Sequence, residues 1–236
     1  MRFSEVATIL RALPAPLPTA PALLTPEWEA GPSELHAAAA RGSVPPTGPR
    51  RVTPPLPSDE AGLTEDAFRP SAVLVLVFPD EAGEARVLLT ARPETDIRHP
   101  GQIAFPGGAT DPGDRDPTAT ALREAREEVG LDEDAAGVEV VGVLDPVTIP
   151  VSGFRLVPIL ALAARRPALR PDPREVRAIF DAPVERFLPE ARIELVERVL
   201  GGSLRIRYGA FDYGGHRIWG ATARILGQLG ALLAAS

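Results

Sequence analysis

The sequence predicts an α/β domain in which a mixed β-sheet is sandwiched between α-helices, preceded by a proline-rich N-terminal arm. Three observations predict it. The apolar run Ala72-Val73-Leu74-Val75-Leu76-Val77-Phe78 is too short for most helices and rich in β-branched residues, which marks a buried central strand. A helix is bracketed by Asp116-Pro117, an acceptor side chain followed by a proline at the first helical position, and by Gly130, a good stop. From Pro14 to Pro57 prolines crowd the chain, among them Pro45-Pro46, Pro49, Pro54-Pro55 and Pro57, each removing a donor and restricting its neighbour. The expected division is a helix and arm over residues 1–68 and a domain over residues 69–236.

In chain order, Phe3, Val6, Ile9, Leu10 and Leu13 have the spacing of a short amphipathic helix. In the arm only Ser33 to Arg41 favours a brief helix; the rest is expected to be extended on the surface or disordered. After the central strand, Pro79 to Glu84 has turn composition and Ala85 to Thr90 returns as a second strand. Further strands are expected at Gln102–Phe105, Val138–Leu144, Phe154–Leu162, Val176–Phe180 and Leu204–Tyr213. Helices are expected at Pro117–Val129, Pro183–Leu188 and Trp219–Leu233. There is no internal repeat.

Composition narrows the functional classes. With 236 residues, 44% hydrophobic and 24% charged, the chain has the make-up of a soluble globular protein, and one core is the simpler reading. There are no cysteines, so a metal must be held by oxygen or imidazole, and three histidines do not favour a zinc centre. A net charge of -7 argues against a nucleic-acid partner gripped by a basic face and favours a small phosphorylated ligand. All 25 basic residues are arginines, which suits phosphate recognition, but a coding bias gives the same count and is the stronger explanation. The first residues lack the apolar core of a signal peptide, and no apolar run approaches the ~20 residues that span a bilayer, so no membrane partner and a cytoplasmic location are expected.

The chemistry is concentrated on the Pro117–Val129 helix. Ala121, Leu122, Ala125 and Val129 make a narrow apolar stripe for packing on the sheet. Glu124 and Glu128 are four apart and Glu127 is three from Glu124, so all three are expected to converge on one point. Divalent magnesium or manganese would compensate their repulsion, because hard cations prefer oxygen ligands and also neutralise a pyrophosphate. Arg123 is placed to orient a carboxylate or brace the preceding loop by a bidentate contact. On the helix alone, an ordinary solvated surface of mixed charge is the better explanation. The loop before it, Phe105-Pro106-Gly107-Gly108-Ala109-Thr110-Asp111-Pro112-Gly113-Asp114, reverses that judgement, since its glycines let backbone groups approach an ion or phosphate.

Together these residues resemble the Nudix box, and the chain is identified as a member of that family. Gly108 matches its first glycine, and Arg123, Glu124, Glu127, Glu128, Gly130 and Leu131 match its second half. Asp114 stands where the family has an isolated glutamate, with one additional residue before Arg123, and Ala125 is small for the apolar position. The resemblance implies the Nudix fold and hydrolysis of a pyrophosphate with Mg2+ or Mn2+. It implies a metal set of Glu124, Glu128, Glu127 and the Gly107 carbonyl, and catalytic roles for Glu124, Glu127 and Arg123. The general base is left open between a box glutamate and a distant carboxylate, for which Glu175 is the candidate.

A second stretch, Leu88-Leu89-Thr90-Ala91-Arg92 followed by Ile97 to Gly108, resembles the signature of the coenzyme A pyrophosphatase branch. That implies cleavage of coenzyme A to 4'-phosphopantetheine and adenosine 3',5'-bisphosphate, with Arg92, His99 and Gln102 contacting substrate. Another nucleoside diphosphate derivative such as ADP-ribose, or a non-catalytic nucleotide-sensing module, are the alternatives. Phe154 to Pro158 and Ile218 to Ala223 also resemble this branch and are read as structural, the latter opening a helix whose Ile225, Leu226, Leu229, Leu232 and Leu233 face the core. The sequence leaves open whether the chain forms a homodimer.

Overall fold

The structure is a computed structural model describing residues 1–18, 27–28, 68–94, 101–149, 153–191, 194–200 and 204–235. The brief helix expected at Ser33–Arg41 lies outside the described residues, as do Ile97, Arg98 and His99. Strand β1 is Glu27–Trp28, β2 is Arg69–Pro79, β3 is Ala85–Ala91, β4 is Ile103–Ala104 and β5 is Gly107–Ala109. Then follow β6 (Val138–Val143), β7 (Val147–Ile149), β8 (Phe154–Ala163), β9 (Ala178–Pro183), β10 (Glu194–Leu200), β11 (Leu204–Tyr213) and β12 (His216–Trp219). The helices are α1 (Phe3–Ala12), α2 (Pro117–Val129), α3 (Glu133–Ala136) and α4 (Gly220–Ala234).

Among the described residues the main sheet is mixed and runs β4-β3-β2-β8-β6, with β5 on β2, β7 on β8 and β9 on β3. Strands β2 and β8 are parallel from Arg69 opposite Phe154 to Val77 opposite Leu162; the other pairs are antiparallel. A second, antiparallel sheet joins β1, β11, β10 and β12. The unbroken apolar character of β2 has a direct cause. Val73, Val75 and Val77 face one core, which α1 and α4 cover, while Ala72, Leu74, Leu76 and Phe78 face another, which α2 covers. Burial on both sides leaves no position for a polar residue between Ala72 and Phe78.

Helix α1 is part of the first core. Val6 and Leu10 are fully buried there, and the Ala85 amide donates to the Met1 carbonyl at 2.9 Å. The α4 leucines and Ile225 are buried as their spacing predicts.

Several boundaries differ from expectation for identifiable reasons. The strand expected at Val176–Phe180 begins at Ala178, because the Val176 amide closes a turn onto the Asp172 carbonyl at 2.8 Å; Val176 is buried from that turn. The helix expected at Pro183–Leu188 is a single 3-10 turn over Val184–Phe187. Strand β5 has two glycines, and its place in the sheet comes from pairing with β2.

Candidate active site

The site is assembled where β5 delivers the chain into α2. Gly107 has φ of 155°, and a Cβ there would collide with the Ala72 carbonyl and Val73, so only glycine lets the turn lie against β2. The Asp116 side chain caps α2 by accepting from the Ala119 amide at 2.8 Å, and Gly130 closes it with φ of 65°. Ala121, Ala125 and Val129 pack against β2 with no exposed surface, and the small Ala125 suits this close approach. The remaining face of α2 presents Arg123, Glu124, Glu127 and Glu128.

Arg123 gathers the loop and the helix into one unit. Its Nε and Nη2 donate to the two Asp114 carboxylate oxygens, both at 3.0 Å, and Nη2 also donates to the Ala109 carbonyl at 3.1 Å. Nη1 donates to Glu124 at 2.9 Å and to Glu127 at 3.1 Å. The bracing role expected for Arg123 is what these bonds do. Asp114 also accepts from the Thr120 hydroxyl at 2.9 Å and the Asp111 amide at 2.9 Å, and the guanidinium beside it holds its carboxyl well below the usual range. The shorter acid in the longer loop thus anchors Arg123. The sequence showed an isolated carboxylate at Asp114 but not its contacts.

Glu128 is the most enclosed of the acids, with 6% exposure, and its Oε2 accepts the Gly107 amide at 3.1 Å. Burial pushes its carboxyl up to about 7; the Gly107 hydrogen bond and the charge of Arg92 oppose this, and the charges of Glu124 and Glu175 add to it. Burial also raises Glu124, against the pull of Arg123. A Cβ on Gly108 would stand 2.5 Å from the Glu124 carboxyl, so the second glycine keeps open the space that this side chain fills.

Full convergence of the three helix glutamates needs correction. Among the described residues no three His, Cys, Asp or Glu side chains stand close enough together to hold an ion. Glu124 and Glu127 lean onto Arg123, Glu127 lies at the rim with 58% of its side chain exposed, and Glu128 turns to Gly107. Glu175 comes from a distant part of the chain; it is exposed, and its charge acts on both Glu124 and Glu128. Arg92 and Gln102 lie side by side, the Arg92 amide donating to the Gln102 carbonyl at 3.0 Å, and Arg92 acts on Glu128 through its charge. His99 lies outside the described residues.

The donor chemistry fits a hard divalent cation. The cluster is all oxygen and anionic, with one member buried enough to resist ionisation without a counter-charge. Rotation of Glu124 and Glu127 away from Arg123 would be needed to complete a ligand set.

A mixed sheet, a glycine turn and a capped helix whose arginine gathers its own glutamates are the parts of a Nudix domain. The NUDIX domain family matches residues 68–198, and the chain belongs to that family. Nudix hydrolase 15, mitochondrial, of Arabidopsis thaliana is 38% identical over 170 residues, which cover 68% of this chain and 58% of that protein. The chain therefore spans less than two thirds of this plant relative's length. An uncharacterized Nudix hydrolase, NudL, of Salmonella paratyphi B is 37% identical over 170 residues, covering 71% of this chain and 85% of that protein. Among solved structures, a Nudix hydrolase of M. smegmatis, RenU, is 26% identical with a TM-score of 0.41, covering 50% of this chain and 73% of that one. Among the described residues no helix is long and apolar enough to cross a membrane.

Proposed function

We propose that the chain is a divalent-metal-dependent pyrophosphatase that hydrolyses coenzyme A, or a derivative of it, to 4'-phosphopantetheine and adenosine 3',5'-bisphosphate. The observation that carries the reading is the buried Glu128, bonded to the Gly107 amide and acted on by the charges of Arg92, Glu124 and Glu175, with Gln102 bonded to Arg92 through the backbone. Arg92 and Gln102 belong to the stretch Leu88 to Gly108, whose resemblance to the coenzyme A branch supports this substrate over other nucleoside diphosphate derivatives.

Glu124, Glu128, Glu127 and the Gly107 carbonyl would hold Mg2+ or Mn2+, which supplies charge neutralisation for the pyrophosphate and acidifies water. Arg123 keeps the glycine loop and α2 in register by holding Asp114 and the Ala109 carbonyl beside Glu124 and Glu127. Arg92 offers a guanidinium to a phosphate oxygen, with Gln102 and His99 as further substrate contacts. Glu175 takes the proton from water as the water oxygen bonds to one phosphorus; the P–O–P bridge breaks, and the bridging oxygen leaves with the other phosphate. Glu175 is favoured over a box glutamate because it is exposed, and Glu127 is tied to Arg123.

The test is a panel of coenzyme A, ADP-ribose and a dinucleotide polyphosphate with purified full chain and Mn2+, comparing kcat/KM. The proposal expects coenzyme A to lead; preference for ADP-ribose would overturn the substrate, and no turnover of any member would overturn the enzyme.

A further inference from the structure

We propose that Asp172 is a positioning residue that sets the Glu175 carboxylate against those of α2. This rests on the active-site reading above and extends it to a segment the box does not contain. After β8 the chain crosses the C-terminal end of α2 as Arg170-Pro171-Asp172-Pro173-Arg174-Glu175-Val176-Arg177. The Arg170 amide donates to the Val129 carbonyl and the Asp172 amide to the Glu128 carbonyl, each at 2.8 Å. Both acceptors belong to the last turn of the helix, where carbonyls lack intrahelical partners. Gly130 makes the crossing close, since a Cβ there would stand 3.3 Å from the Arg170 carbonyl oxygen.

Asp172 then organises the turn that follows. Its carbonyl accepts the Glu175 amide at 3.1 Å and the Val176 amide at 2.8 Å. Its carboxylate accepts the Arg174 amide at 2.9 Å, the side-chain-to-backbone closure typical of aspartate in turns, and the Arg174 guanidinium at 2.5 Å. Pro171 and Pro173 fix the backbone on either side. At the far end the Arg177 amide donates to the Ala91 carbonyl at 2.9 Å, and its guanidinium pairs with Glu94 at 2.6 Å.

The consequence is a short path between two acids that are far apart in sequence. The Asp172 amide holds the Glu128 backbone and the Asp172 carbonyl holds the Glu175 backbone, so one residue references both. The Glu175 side chain is exposed, so its location depends on this turn. The Asp172 side chain reaches no member of the cluster; it acts through the turn.

The test uses the full chain with Mn2+ and whichever of coenzyme A or ADP-ribose it turns over. Glu175→Gln is expected to lower kcat by about 100-fold, the low end for loss of a general base. Asp172→Ala is expected to lower kcat by about tenfold with KM unchanged, and the double variant to match Glu175→Gln alone, because both act through one group. Asp172→Asn keeps an acceptor for the Arg174 amide and is expected to stay within about threefold of wild type. Melting curves check that each variant is folded; Arg174 lies on the surface, so its loss of a partner leaves no buried charge. Multiplied losses in the double variant, an unaffected Asp172→Ala, an unaffected Glu175→Gln, or an Asp172→Asn as damaged as the alanine variant would each overturn the positioning role. A wild-type chain inactive on both compounds would overturn the active-site reading itself.

Discussion

Replacing Glu128 by glutamine separates the chemistry of the site from its stability. Glutamine keeps the shape and still offers an oxygen to the Gly107 amide, but it cannot ionise. Burial lifts the Glu128 carboxyl from an ordinary 4.5 to about 7, and the gap between those values corresponds to roughly 3 kcal/mol. The folded carboxyl holds its proton more tightly than the unfolded one. In the absence of divalent metal its contribution to stability is therefore complete below pH 4.5 and is lost as pH rises through about 7. Chemical denaturation in EDTA at pH 4.5, 6 and 8 measures this. The wild-type chain is expected to lose roughly 3 kcal/mol relative to Glu128→Gln across that range, so that the variant gains on it at pH 8. Addition of Mn2+ at pH 8 is expected to stabilise the wild type far more than the variant, with proton release on binding, while turnover by the variant falls at least about 100-fold. Parallel stability profiles for the two chains, or wild-type turnover by Glu128→Gln, would refute the reasoning.

Three further outcomes follow from the contacts around the site and the core. Gly108→Ala places a methyl where the Glu124 carboxyl lies; the carboxyl is the movable end of a side chain, so the melting temperature is expected to hold while kcat falls by about tenfold. Arg123→Lys cannot reproduce the fork that joins Asp114, Ala109, Glu124 and Glu127, and is expected to lower both the melting temperature and kcat, read by calorimetry and steady-state kinetics. Leu10→Ala removes a fully buried side chain of α1 and is expected to cost about 3 kcal/mol by urea denaturation, whereas a surface-attached helix would lose almost nothing.

The parts of the fold governed by local rules were legible in the sequence. Helix α2 begins and ends where Asp116-Pro117 and Gly130 place it, and β11 matches its expected span. β2 declared itself by its apolar run, because both of its faces are covered. What depended on pairing was not legible. β5 is glycine-rich and exists because β2 holds it, and Val176 looked like strand because a buried valine in a turn has the same composition. In the site, the helical spacing identified Glu124, Glu127 and Glu128 but overstated their convergence, since Arg123 draws two of them aside. Nothing in the sequence alone singles out Asp172. Its only local signal is the Pro-Asp-Pro sequence, whose meaning depends on the helix end it crosses.

The most direct measurement of the central claim is mass spectrometry of the products formed from coenzyme A and Mn2+ in 18O-enriched water. The expected products are 4'-phosphopantetheine and adenosine 3',5'-bisphosphate in equal amounts, with one 18O atom entering at the broken pyrophosphate and turnover by Glu128→Gln lowered at least about 100-fold. Coenzyme A recovered intact while ADP-ribose is consumed, or release of inorganic phosphate from the 3' position, would contradict it.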